Sequence, residues 1–174
     1  MSKRFNPVVN VDDIQEEFSD GGGCFKHGYR VLTPQMGYER TNLNLSRLPP
    51  KCVAVPFHAH QRDDEIFYIL SGRGVLRYGD EIHPLRPGDC VSCPAGSGIA
   101  HQVGNPYDED LIYLAIGGND PDEVVQLPDS GKIMIRSLKA IGELTPRGRS
   151  EGEPDWPRVF EMFAQQKDTV EKLT

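Results

Sequence analysis

The stretch His58-Ala59-His60-Gln61-Arg62-Asp63-Asp64-Glu65-Ile66-Phe67-Tyr68-Ile69-Leu70 decides how the rest of the chain is read. On an extended strand alternate side chains share a face, so His58 and His60 can each offer a ring nitrogen to one metal ion. The polar run over 61–64 suits a hairpin, after which Glu65 opens an apolar strand. Burying a lone carboxylate at the head of so hydrophobic a strand is expensive, and a cation beside it would remove most of that penalty. If Glu65 faces inward, strand parity sends Phe67 and Ile69 inward and Tyr68 and Leu70 outward.

A fourth ligand type lies farther along. His101 follows the loop Pro94-Ala95-Gly96-Ser97-Gly98-Ile99-Ala100 and opens another strand, from which Val103 should join the same interior while Gln102 points away. His58, His60, Glu65 and His101 together make a set of imidazoles and one carboxylate. Such a set suits one divalent transition metal ion per chain (manganese, iron, nickel, cobalt or zinc), with positions left for water or substrate. His27 and His83 stand outside the pattern and are read as non-ligands.

Working outward, short β-like runs occupy Arg30–Thr33, Thr41–Leu48, Val53–His60, Ile66–Leu70, Val75–Tyr78, Ile82–Leu85, Cys90–Cys93, His101–Val103 and Leu111–Ile116. Between them stand Pro49-Pro50, Gly72-Arg73-Gly74, Gly79-Asp80 and Pro87-Gly88-Asp89, the punctuation of hairpins. With 18 glycines and 14 prolines in 174 residues and no helical period between the strands, the pattern predicts an all-β fold. The form it predicts is a double-stranded antiparallel β-helix, or jelly-roll barrel.

Along Thr41–Leu48, alternation separates Asn42, Asn44 and Ser46 from Leu43 and Leu45, and either face could be inside. Asn44 and Ser46 would orient an oxygenated substrate if inside and be solvated if outside. Arg47, with Lys51, Arg62 and Arg73, is a candidate partner for a phosphate or carboxylate, against the default of solvated surface charge. Tyr113 can serve as a general acid or base, or simply fill the core.

These motifs resemble those of the cupin family. The first family motif ends His-x-His, three or four residues, Glu, six residues, Gly; here it reads His58-x-His60, four residues, Glu65, six residues, Gly72. The second runs Gly, five residues, Pro-x-Gly, two residues, His, three residues, Asn; here it reads Gly88, five residues, Pro94-x-Gly96, four residues, His101, three residues, Asn105. Cys52 stands where the first motif has its leading glycine, and the loop before His101 is two residues longer than the pattern. The resemblance covers about Cys52 to Asn105. It implies the barrel, a metal on the four named side chains and a homodimer. The stretch Val125–Lys132 is also similar to small cupins labelled sugar-phosphate isomerase-like, a label that carries little about chemistry because one fold hosts many functions.

The sequence is expected to form one cupin domain with extensions. Residues 1–29 form an N-terminal arm with a short helix capped by Asp12 or Asp13, carrying Ile14 and Phe18 and stopped by Gly21-Gly22-Gly23; residues 30–118 form the barrel. Residues 119–174 form an extension with one strand at Lys132–Leu138 and a C-terminal helix over about 156–172, where Val159, Phe160, Phe163, Val170 and Leu173 fall near helical spacing.

A net charge of −7 opposes binding to nucleic acid or an anionic membrane, both of which need clustered cations. A small molecule is therefore the expected partner. No apolar run long enough to span a bilayer occurs, and a cytoplasmic location is expected. Cys90 and Cys93, three apart on a strand, should point to opposite faces rather than pair. The function these readings favour is a metal-dependent enzyme of isomerase, lyase or dioxygenase type acting on a small oxygenated or carboxylated molecule. The alternative is a cupin that binds or senses a small ligand without turnover.

Overall fold

The computed structural model describes residues 5–143, 145 and 151. The chain divides into two compact units, Met1–Leu144 and Thr145–Thr174, and every strand among the described residues belongs to the first. The helix expected over 156–172 lies outside the described residues.

In chain order the strands are β1 (Glu17–Asp20), β2 (Lys26–Val31), β3 (Thr41–Leu48), β4 (Cys52–Val53), β5 (Ala59–His60), β6 (Glu65–Ser71), β7 (Gly74–Tyr78) and β8 (Glu81–Leu85). There follow β9 (Cys90–Cys93), β10 (His101–Asn105), β11 (Leu111–Gly118), β12 (Val124–Leu127), β13 (Lys132–Ile135) and β14 (Ala140–Glu143). One four-residue helix, α1, spans Thr33–Met36. The strands form a six-stranded sheet β1-β2-β3-β11-β6-β9 and a four-stranded sheet β4-β10-β7-β8. A third sheet runs β14-β13-β12-β5. Every ladder is antiparallel, the all-β barrel architecture expected.

The core lies between the first two sheets. Leu48, Phe67, Ile69, Val91, Leu111 and Tyr113 from one meet Leu76, Leu85 and Val103 from the other in a single buried cluster. Parity within β6 follows the sequence: Phe67 and Ile69 are buried, while Tyr68 and Leu70 stand about two-fifths exposed. Each side chain so buried contributes roughly 1.5–3 kcal/mol relative to exposure. Cys93 is buried and Cys90 exposed, on opposite faces of β9, and all four cysteines are free.

Gly72 closes the turn after β6 with φ +77°, and a Cβ there would collide with the Asp110 carbonyl oxygen. Only glycine accepts both conditions, which is the physical reason for the glycine that ends the first motif.

Three expectations are corrected. The short N-terminal helix is a single 3₁₀ turn, Val11–Asp13, capped by the Asn10 side chain rather than by an aspartate. Ile14 is buried, whereas Phe18 lies on β1, exposed. The run Val53–His60 is not one strand: it breaks into β4 and β5 around Ala54–His58, where Pro56 has no N–H for a ladder. Beyond the barrel, β13 stops at Ile135, and β12 and β14 flank it. This third sheet reaches back to β5, where Val125 pairs with His60. No helix among the described residues is long and apolar enough to cross a membrane.

Candidate metal centre

Two elements bring the distant ligands together. His58 lies just before β5 and forms an isolated antiparallel bridge with His101, each backbone N–H donating to the other's carbonyl, at 3.1 and 2.7 Å. That bridge fastens the first motif to the start of β10. Glu65, at the head of β6, faces the same point, with its Oε2 2.8 Å from His101 Nε2, 3.5 Å from His60 Nε2 and 3.6 Å from His58 Nε2. One ligand atom from each of the four lies within 4.8 Å of all the others. His58, His60 and His101 are buried or nearly so, and Phe67 lies against the His101 ring, centroids 5.8 Å apart.

The proton positions of the rings follow from their second nitrogens. His58 Nδ1 is 2.9 Å from the Pro56 carbonyl oxygen, a group that only accepts, so Nδ1 carries the proton and Nε2 presents a lone pair. His60 Nδ1 lies 3.5 Å from Glu123 Oε1 without a hydrogen bond to it, and the negative charge of that carboxylate favours the proton on the nearer nitrogen. The two Nε2 atoms are 3.1 Å apart, beside a carboxylate. Lone pairs set against each other and against Glu65 are stable only with a proton or a metal cation between them. The donor set therefore fits a divalent ion that takes imidazole nitrogen and carboxylate oxygen.

The electrostatics agree. Burial pushes the Glu65 carboxyl up, but the His101, His58 and His60 rings gathered around it outweigh that and hold it well below the usual carboxylate range. Burial lowers His101 despite its contact with Glu65. For His60 burial also acts downward, yet Glu65, Glu123 and Asp63 together leave it raised.

Glu123 escaped the sequence reading. It is fully buried, and its carboxylate accepts backbone N–H groups from Gln61, Arg62 and Asp63 at 2.8, 2.9 and 2.6 Å. It thus clamps the loop that separates His60 from Glu65 while standing behind the His60 ring. Asp63, also buried, is held by Arg136 at 2.7 Å and by the Asp120 N–H at 2.9 Å. His60, Asp63 and Glu123 form a second cluster by proximity, but these bonds engage both carboxylates as hydrogen-bond acceptors. The available signal was the one that singled out Glu65: an acid directly before an apolar pair, here Val124-Val125.

A cavity of about 130 Å³ adjoins the cluster, lined by His58, Glu65, Phe67, His101, Val103 and Tyr113 together with His27, Asn44, Ser46, Ala54, Val55 and Ala115. The polar face of β3 is therefore inside. Ile69 lies deeper in the core and does not line the cavity. Arg47 is corrected: parity turns it away from Ser46, and its guanidinium is held by Glu16 at 2.9 and 2.6 Å and by Asp110 at 3.5 Å. Arg62 pairs with Asp120, Arg73 with Glu109 and Lys51 with Asp108. Tyr113 packs edge-on against Phe67 at 5.7 Å, and burial and Glu65 push its hydroxyl well above the usual range despite the opposing effect of Ser46.

Known proteins share this architecture. Residues 44–117 match the family model described as a cupin domain. Over 70 residues the chain is 37% identical to an oxalate-binding protein of Thermotoga maritima, covering 40% of this chain and 55% of that protein. The match thus spans little more than half of that relative's length. A crystal structure described as a sugar phosphate isomerase from a cupin superfamily, of Silicibacter pomeroyi, superposes with a TM-score of 0.72 at 26% identity, covering 83% of this chain and 98% of that one. A structure described as a predicted oxalate decarboxylase, from Thermotoga maritima, gives a TM-score of 0.57 at 28% identity, covering 64% and 97%. The antiparallel barrel, the two motifs and these likenesses agree on a cupin domain over residues 44–117.

Proposed function

We propose that this cupin is a metal-dependent enzyme acting on a small oxygenated molecule, with His58, His60, Glu65 and His101 holding one divalent transition metal ion. The observation that carries the reading is the pair of Nε2 atoms 3.1 Å apart beside the Glu65 carboxylate, an arrangement that asks for a cation. When bound, the ion would supply Lewis-acid polarisation of a substrate oxygen or activation of water. The chain's own residues do the rest: Phe67 and Val103 exclude water on one side, and Asn44 and Ser46 offer hydrogen bonds on the other. Tyr113 keeps its proton through the neutral range and so enters as a donor rather than a base.

Purified protein should carry about one transition metal ion per chain, and replacing both His58 and His60 by alanine should strip it. Native protein free of metal after growth with each candidate metal would contradict the proposal. A second reading, a cupin that captures a ligand without turnover, is supported by the likeness to an oxalate-binding protein; saturable binding with no product from any bound compound would favour it. A homodimer belongs to the proposal, supported by Ile66, Tyr68 and Leu70, about two-fifths exposed on the outer face of β6. Sedimentation should show the dimer, and a monomer at high concentration would contradict it. A cytoplasmic location is inferred from the lack of a bilayer-length apolar run in the sequence.

A further inference from the structure

The walls of the cavity beside the four ligands constrain what can occupy it. Two of the residues that line it, His27 and Asn44, each hold a polar atom, Nδ1 and Oδ1, that is shielded from solvent and has no hydrogen-bond partner among the described residues. Buried polar groups left open in this way are rare and call for a partner. His27 stacks on Tyr29, ring centroids 5.2 Å apart, which fixes its ring at the wall. Burial lowers its pKa despite the Ala54 backbone, so the ring stays neutral. Ser46 is buried as well and lies opposite Tyr113 in the β3–β11 ladder.

Among the described residues no lysine or arginine lines this cavity. A smaller space of about 90 Å³ on the other side of Glu65 and Asn44 includes Arg136, but that guanidinium is spent on Asp63 and the Asp120 carbonyl, at 2.7 and 2.6 Å. Arg47 is on the far face of β3, engaged by Glu16. A phosphate, or a second carboxylate beyond the one bound at a metal, would therefore be desolvated with no fixed cation among the described residues to meet it. Size points the same way: about 130 Å³ is room for roughly four waters, well below the 300–1,000 Å³ or so of pockets that enclose large ligands.

We propose that the ligand is a short hydroxylated molecule of about six non-hydrogen atoms whose end away from the metal ligands is neutral, its hydroxyl groups bonding the Asn44 amide, the His27 ring and Ser46. This rests on the reading of the four ligands as a metal site. It separates the site from the phosphate ester and the dicarboxylate that the names of its relatives bring to mind.

The test uses the full chain loaded with cobalt(II), whose absorption reports both the metal and any ligand at its open positions. The probes are two pairs that share a metal-binding end and differ at the other: dihydroxyacetone with its phosphate ester, and glycerate with tartronate. The neutral-ended member of each pair should bind about tenfold or more tighter. Asn44→Ala and His27→Phe should each weaken that member about threefold or more while cobalt affinity is kept. Equal or tighter binding of the charged-ended members would overturn the inference and leave the metal reading standing, as would indifference of both variants. Failure to bind cobalt would overturn both. Should a variant not fold, the ranking on the unaltered protein decides alone.

Discussion

Replacing Glu123 by glutamine keeps the size of the side chain but removes the negative charge behind the His60 ring and sets an amide donor against backbone N–H groups. Carboxylates in this position fix the tautomer of a ligating imidazole, and losing them weakens metal binding by about 10–100-fold. Competition with a chelator should show that loss for Glu123→Gln in protein that is still folded; unchanged affinity would reduce Glu123 to a clamp on the loop. Cys93 gives an independent check on the interior. Burial, with Glu65 nearby, pushes its thiol up to about 12, so at pH 8 only about one molecule in ten thousand carries the reactive thiolate. Exposed Cys24 and Cys90 should react with a thiol reagent in native protein while Cys93 waits for unfolding; rapid labelling of Cys93 would place it outside the core. Single residues were most legible in the sequence where chemistry is dense. Glu65 and the three histidines announce themselves by type and spacing, whereas His27 and Asn44 look like ordinary polar residues. Arg47 misleads because charge says nothing about which face of a strand carries it.

Elements were legible where alternation is long and failed where structure is local. Thr41–Leu48 and Cys90–Cys93 fall where periodicity puts them, because one face of each is committed to the barrel. In the arm, the acids over 12–13 suit either a helix start or the single 3₁₀ turn that forms, and four residues over 17–20 are too few to show a period. The strands at 124–127 and 140–143 were missed since their partners, not their own pattern, define them. The turn after β6 was read correctly from its glycine, and Gly72→Ala tests it. With φ +77° and a Cβ directed into the Asp110 carbonyl, alanine should destabilise the fold by about 1–3 kcal/mol. A melting temperature within a degree of the unaltered protein would show that the turn can relax.

For the molecule as a whole, the barrel positions donors that no single segment holds. His58 and His101 are fastened by a backbone bridge, Glu65 arrives from the facing sheet, and β12 from beyond the family match pairs with His60 while Glu123, just before it, holds the intervening loop. The two motifs made the fold and the ligand set readable together, because a metal can be shared only if the chain folds to bring them to one point. The buttress at Glu123 went unread although it too stands directly before an apolar pair, since sequence distance gives no hint that residues over 119–143 return to the first motif. Everything proposed for the site depends on the four ligands acting as one set, and X-ray absorption at the metal edge of the loaded protein probes that set itself. The spectrum should show a shell of nitrogen and oxygen at about 2.0–2.2 Å, with the outer scattering of three imidazoles; a shell containing sulfur, or one without imidazole scattering, would contradict it.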